Sequence, residues 1–429
     1  MSAFTPARAR WSQLVLGLIV MMSISSPQYV WTLFVKPFQS ATGAALPATQ
    51  FTFSLLIVLQ TLFSPAQGFL VDRFGPRRLI ALGAALSGLG WVLAAHVSSL
   101  LGLYLTYGLF CGIGTGIVYV GVVGLMARWF PDRRGFAIGL AAAGYGMGAM
   151  LTTFPIDATL RGSGLPSTLT IYGIVLGVVG VAAALLLRSP RPGEAEAPAA
   201  ALSGVSPREM LKTPLFWLMF VMMTMMSTGG LMATSNFANF ARDFGVAGAT
   251  VLGMAALPLA LTLDRLLNGF TRPFFGWVSD KIGREATMTL AFSFEALAIL
   301  ALLALRHDPV AFVVLSGLVF FGWGEIFSLF PSVLTDTFGA RHATTNYGFL
   351  YIAQGVGSIL GGPVAAQLHD LSGGWTAAFG VSAAMDVLTA LLAWFVLRPM
   401  RRDYLSEASH FVTGDPAPVV QSAQGRGFL

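Results

Sequence analysis

Charge is what this chain has least of. Only 10% of its 429 residues are Asp, Glu, Lys or Arg, while 55% are hydrophobic. A soluble domain carries about 25% charged residues to cover its water-facing surface, so the shortage excludes an ordinary soluble fold. Cysteine occurs once, as Cys111 in an apolar run, which excludes an intramolecular disulfide and argues against a thiolate metal site. Histidine is scarce as well. His96, His307, His342, His369 and His410 fall in expected loops, span ends or the tail and form no cluster, so neither a metal centre nor a buried histidine relay is expected. "GIGTG" at 112–116 lies inside an apolar run, without the strand–turn–helix setting of a nucleotide fingerprint. No nucleophile–base or metal constellation marks an enzyme, and no cofactor is implied.

What the chain has instead is a series of apolar segments of about 20 residues, each long enough to span roughly 30 Å of hydrocarbon. They predict an all-α membrane protein. Twelve transmembrane helices can be drawn, at about 12–35, 50–71, 78–96, 99–127, 136–154, 168–188, 214–240, 248–279, 286–305, 310–335, 346–368 and 374–397. The first follows Arg8 and Arg10 in the manner of a signal peptide. Its apolar stretch reaches Phe34, beyond a cleaved core of about 7–15 residues, so it is read as a span. "RSPRPGEAEAPAAALSGVSPREMLKTP", from Arg188, is rich in Pro, Ala and Glu and reads as a linker. The expected organisation is a six-helix half at 1–188, a cytoplasmic linker at 189–213, a second six-helix half at 214–398 and a cytoplasmic tail at 399–429, polar and loose from 403 onwards.

The formal charge of +6 does not indicate nucleic acid, because the basic residues lie in short loops between spans. One side of the membrane receives only Lys36, Arg161, Arg242 and Arg306; the other receives Arg73, Arg77, Arg78, Arg128, Arg133, Arg134, Arg188, Lys281, Arg284 and more. The positive-inside rule then puts both termini and the linker in the cytoplasm, with the spans in the cytoplasmic (inner) membrane.

The halves repeat. Gly68, Asp72 and Gly75 recur 208 residues later as Gly276, Asp280 and Gly283, and Ser64-Pro65 recurs as Arg272-Pro273. "GIGTGIVY" (112–119) maps at the same offset onto "GWGEIF", pairing Tyr119 with Phe327. A duplicated six-span unit is the sequence sign of a transporter with its site between the halves at mid-membrane. Arg272 departs from the symmetry, standing where the first half has Ser64.

"GFLVDRFGPRR" (68–78) and "GWVSDKIGR" (276–284) resemble the cytoplasmic loop signature of the major facilitator superfamily, once per half. The resemblance implies the twelve-helix fold working by alternating access. A narrower resemblance runs along nearly the whole chain, through "PQYVWTLF" (27–34), "GIVY" (116–119), "RWFPDRRG" (128–135), "AAGYGMG" (142–148), "NGFTRPFFGWVSDKIGR" (268–284) and "NYGF" (346–349). These segments are similar to the oxalate/formate antiporter family and, more distantly, to the monocarboxylate transporters. That family implies an arginine of an "RP" pair holding a substrate carboxylate, here Arg272, with Gln28, Tyr29, Tyr119, Tyr145 and Trp323 as aromatic and amide neighbours. The family's oxalate carrier has a lysine in span eleven; this chain has Gln354 there.

On its own chemistry, Arg272 is an always-charged planar fork matched to a carboxylate. It sits eight residues before Asp280, about 12 Å inside the interface at the rise of an α-helix, too deep for complete snorkelling. Intramembrane charge of this kind points to a functional site; a structural ion pair with Asp264 or Glu325 is the alternative. Asp264, Arg265, Asn268 and Arg272 fall within an arc of about 100° on one helix. Arg265 is therefore a candidate second cation, or a charge neutralised by Asp264 or Glu325, and Asp264 is the candidate coupling residue. Two cations suit a small dianion, whereas one cation and Gln354 suit a monoanion. Trp323 and Phe327 share a helix face, from which Glu325 points away. Asp72 with Arg73, and Asp280 with Lys281, sit at cytoplasmic span ends. They serve topology at the least, and the resemblance makes them a cytoplasmic gate.

The reading is a secondary active transporter of small organic anions such as formate, oxalate or lactate, working by anion exchange or proton symport and expected to function as a monomer in the lipid bilayer. Two alternatives stay open: a proton-coupled exporter of drugs or other small molecules on the same fold, and a membrane sensor that binds an anion without moving it.

Overall fold

The computed structural model describes residues 6–191, 194 and 204–413. They form helices joined by short turns, with one two-stranded ribbon, Thr250–Val251 against Met254–Ala255. Nine of the helices are long and apolar enough to cross a membrane, or ten if Ala48–Leu62 and Ser64–Phe74, bent by 50° at Phe63, count as one. The 52-residue helix Arg134–Leu185 is two helices meeting at Gly164, whose φ of 76° leaves the helical range just before Pro166. Leu151, Phe154, Val178 and Leu186 are more than half exposed on the outer faces of the bundle, an arrangement suited to lipid rather than water.

Local signals set the helix starts. Ser206 and Glu209 form a reciprocal capping box, and Thr213 then caps Pro214–Asp243, where a proline takes the first position. Asp308 caps Pro309–Trp323 through the amide of Ala311 at 2.8 Å. Gly75 (φ 89°, ψ 150°) and Gly283 (φ 95°, ψ 157°) end Ser64–Phe74 and Ala256–Ile282 with the same turn, a backbone that requires glycine. The internal repeat of the sequence thus reappears in backbone torsions.

Several helices are interrupted rather than continuous. The first apolar run, expected as one span, is Pro6–Ser23, Ser26–Tyr29 and Trp31–Thr42. The 310–335 run breaks between Pro309–Trp323 and Ile326–Phe338. Residues Tyr104–Phe110 and Leu360–Val364 form π-turns. In a membrane such interruptions are tolerated where they line a cavity or are buried in protein.

One end of the bundle gathers the charged turns. There Arg10 pairs with Asp132, and Val205 donates to Phe338 O at 2.8 Å beside a Gly204–Gly339 bridge. Arg401 pairs with Glu285 at 2.7 Å, from the helix Arg398–Thr413, whose Tyr404 ring meets Phe338. The region read as loose from 403 is therefore helical to Thr413; its continuation at 414–429, like most of 192–203, lies outside the described residues.

Candidate functional site

Two helix pairs hold the middle of the bundle together: Arg134–Leu185 packs on Ala256–Ile282, and Ser64–Phe74 on Ala343–Ile359. Glycine lets the first pair touch backbone to backbone. A Cβ at Gly276 would collide with Gly135 O, and one at Gly139 with Arg272 O. This close crossing carries Arg272 to the wall of a cavity between the helices.

All ten residues expected around a pocket line that cavity: Gln28, Tyr29, Tyr119, Tyr145, Asp264, Arg265, Asn268, Arg272, Trp323 and Gln354. The interrupted helices explain how they meet, since Gln28 and Tyr29 lie in the short Ser26–Tyr29 turn and Trp323 at the Trp323–Ile326 break. Sequence reasoning missed Tyr351, whose ring stacks on Tyr119 at 4.9 Å and 10°, and Gln60, which donates to Tyr351 Oη at 2.9 Å. Tyr145 Oη donates to Gln28 Oε1 and, at 3.4 Å, to Gln60 Oε1. Edge-on contacts continue the aromatic wall from Tyr29 to Tyr145 (5.4 Å), Tyr119 (5.3 Å) and Phe327 (6.4 Å).

Arg272 is 1% exposed. Its Nη1 donates to Ala142 O and its Nη2 to Asn268 Oδ1, each at 2.9 Å, and its guanidinium lies 4.5 Å from the Phe327 ring centre. Among the described residues it forms no ion pair, so the alternative pairing with Asp264 or Glu325 is not made in this structure. Nε makes no hydrogen bond; neither do Asn268 Nδ2, Trp323 Nε1 and Tyr119 Oη, all buried. Four residues of the cavity lining thus each keep an unused donor, one of them on the cation, which suits an anion with several acceptor lone pairs. Gln354, also in the lining, keeps an unused acceptor in Oε1.

Arg265 is exposed and its guanidinium lies over the Tyr29 ring at 5.5 Å. Asp264 is buried on the wall, and its carboxylate oxygens make no hydrogen bond. Glu325 points away from the cavity and lies buried with Glu295 and Asp386. Among the described residues no group of three or more His, Cys, Asp or Glu side chains is placed to hold a metal.

The end of the bundle beyond Arg272 is shut by a buried network. Asp280 accepts from the amides of Gly135 (2.9 Å) and Phe136 (2.8 Å) and pairs with Arg284 at 2.6 Å. Arg284 also holds Asp336 at 2.8 Å, and Asp336 holds Arg134 at 2.6 Å. In the repeat-related place, Asp72 accepts from Thr345 N (2.9 Å) and Oγ1 (2.7 Å) and pairs with Arg128 at 3.4 Å. The two acids named from the sequence are thus central, while the adjacent cations are not. Arg73 lies over Phe69 and Phe74, and Lys281 over Trp277. Side chains at i and i+1 diverge on a helix, so the partners come from other helices.

A helical membrane bundle with a cavity lined by arginine, amide and aromatic residues, shut at one end by ion pairs, is the build of a membrane carrier. The Major Facilitator Superfamily model matches residues 14–267 and 259–421, and the chain belongs to that family. It is 36% identical over 396 residues to the oxalate:formate antiporter of Oxalobacter formigenes, covering 92% of this chain and 93% of that one. Monocarboxylate transporter 13 of Bos taurus is 28% identical over 334 residues, 77% and 76% of the two chains. Among solved structures, a proton:xylose symporter bound to 6-bromo-6-deoxy-D-glucose superposes with a TM-score of 0.72 at 14% identity, covering 92% and 97%; that likeness concerns the fold alone.

Proposed function

We propose that this chain is a multi-pass secondary carrier of small carboxylates, such as formate, oxalate or lactate, whose anchor is Arg272. The observation that carries the reading is a guanidinium at 1% exposure, with no ion-pair partner among the described residues, in the wall of a cavity whose other lining residues keep unused donors. Left alone, a buried charge of this kind is costly; a bound carboxylate supplies both countercharge and acceptors. Gln28, Tyr29, Tyr119, Tyr145, Asn268, Trp323 and Gln354 shape the pocket, and the names of the two carboxylate-carrying relatives support the substrate class. Asp264 is the coupling candidate, leaving anion exchange and proton symport as alternatives for the driving force.

The same proposal takes the chain as twelve spans in two six-helix halves, 1–188 and 214–398, joined by the 189–213 linker. The break at Gly164 supports two spans within Arg134–Leu185, and Ala256–Ile282, at 27 residues, is long enough to be another. The end holding Arg10, Asp132, Val205 and Arg401 is taken as cytoplasmic in the inner membrane, following the excess of arginine in its loops. The carrier then stands closed on that side, with Asp72 and Asp280 at the gate, and works as a monomer.

The test is uptake of labelled formate, lactate and oxalate into proteoliposomes, with unlabelled anion inside or an imposed pH gradient. Arg272-dependent uptake supports the reading, and the driving condition separates exchange from symport. Absence of uptake of every acid by folded, reconstituted protein would refute it and favour the exporter, for which Arg272→Ala leaves efflux of neutral or cationic compounds unchanged.

A further inference from the structure

A second cleft opens where the turn Gly75–Arg78 meets the end of Arg134–Leu185, with Phe74, Arg77, Arg78, Leu185 and Arg188 in its walls. Its charge is unbalanced. Arg188 is spoken for, since Glu194 accepts from both of its terminal nitrogens at 2.5 and 2.8 Å and its guanidinium stacks on Trp129. Arg77 and Arg78 are exposed, and among the described residues they form no ion pair. They occupy the first turn of Pro76–Ala94, whose start has no side-chain cap, so the helix end adds to the positive potential.

The internal repeat provides a control within the molecule. The residues 208 positions after Arg77 and Arg78 are Glu285 and Ala286. There Glu285 is answered by Arg401 at 2.7 Å from the helix Arg398–Thr413, whose Tyr404 packs on Phe338, and the neighbouring Arg284 is paired with Asp280 and Asp336. The second copy of the turn therefore finds its countercharge in its own chain. The first copy carries two cations and finds none among the described residues. Apolar side chains flank the cleft: Phe74, Leu82, Leu185 and Leu186 are 56%, 50%, 43% and 64% exposed. A ligand fitting both features has an anionic head for the arginines and hydrocarbon for the rim.

We propose that this cleft is a binding site for an anionic phospholipid, its headgroup phosphate held by Arg77 and Arg78 and its acyl chains lying along Leu82, Leu185 and Leu186. Basic pockets at span ends recognise such headgroups, and each basic residue facing an anionic lipid contributes roughly fivefold in affinity. Losing both arginines is then expected to weaken binding by roughly 25- to 30-fold.

The test is native mass spectrometry of the purified full chain in mixed micelles, titrated with phosphatidylglycerol, phosphatidylcholine or glycerol 3-phosphate. The wild type should retain phosphatidylglycerol over phosphatidylcholine, and the Arg77→Gln/Arg78→Gln variant should lose that preference while eluting and melting like the wild type in phosphatidylcholine alone. If the double variant fails to fold, each single variant should show its own fivefold loss. Equal phosphatidylglycerol retention by wild type and variants overturns the proposal. Displacement of phosphatidylglycerol by an equal concentration of glycerol 3-phosphate also overturns it, assigning the cleft to a soluble anion.

Discussion

Replacing Asp280 with Asn keeps the side chain's shape and removes its charge. In the closed end of the bundle Asp280 Oδ1 serves the Gly135 amide and Arg284, and Oδ2 the Phe136 amide, in a site where both partners of the ion pair are only 8% exposed. A hydrogen bond to a charged group contributes about 1.5–3 kcal/mol, and Asn turns an NH₂ group towards donors that want an acceptor. Arg284 still holds Asp336 at 2.8 Å, so the loss falls short of the 3–5 kcal/mol typical of breaking an isolated buried pair. The expected cost is about 2–3 kcal/mol, borne only by the state closed at this end. That corresponds to a population shift of roughly 30- to 150-fold. The assay is labelling by a membrane-impermeant maleimide at Ala343→Cys, a position 1% exposed at the closed end, with the single native Cys111 replaced by Ser. Asp280→Asn should speed labelling by at least tenfold. An unchanged rate in a protein of unchanged melting temperature would refute the reasoning.

Three further outcomes follow from the same contacts. Gly230→Ala should raise KM for the carboxylate in counterflow by roughly five- to tenfold, because the new Cβ falls on the Trp323 ring and overpacking costs about 1–3 kcal/mol; unchanged KM would remove Trp323 from the site. Tyr351→Phe loses the 2.9 Å bond from Gln60 and should lower unfolding stability in detergent by about 1 kcal/mol, measured by thermal or chemical denaturation. The Arg188 guanidinium holds the Glu194 carboxyl at about 2, below its ordinary 4.5. Its stabilisation is therefore present above pH 4.5 and lost as pH falls towards 2. The pair is partly open to solvent, so Glu194→Gln should be less stable than wild type by under about 1 kcal/mol at pH 6 and equal to it near pH 2.

Much of the site was legible in the sequence because helix periodicity fixes which neighbours share a face. Asp264, Asn268 and Arg272 are about one turn apart and Arg265 is two turns from Arg272 on the same helix, and the structure sets all four on one cavity. What periodicity does not carry is the pairing of distant helices. Gln60 and Tyr351 are 291 residues apart, and either alone reads as an ordinary span residue. The gate shows the same limit. Asp72 and Asp280 were visible as repeat mates, and Arg284 lies only four residues beyond Asp280, whereas Arg128, Arg134 and Asp336 join the network only through the packing of helices distant in sequence. The interruptions at Ser23–Ser26 and Trp323–Ile326 carry no proline at the break to announce them, apart from Pro27 just beyond the first. The helical start of the tail was hidden for another reason. Residues Arg398–Thr413 are polar, and a helix of that composition is held by the Arg401–Glu285 pair and Tyr404 rather than by an apolar stripe.

The most direct measurement is calorimetric titration of oxalate, formate and lactate into the purified carrier and into Arg272→Gln. Removing one charged partner of a desolvated pair costs about 2–5 kcal/mol, so the variant should bind the preferred acid at least about 30-fold more weakly while keeping its fold and its Gln60–Tyr351 aromatic wall. Equal affinity in wild type and variant would contradict the assignment of Arg272 as the carboxylate anchor.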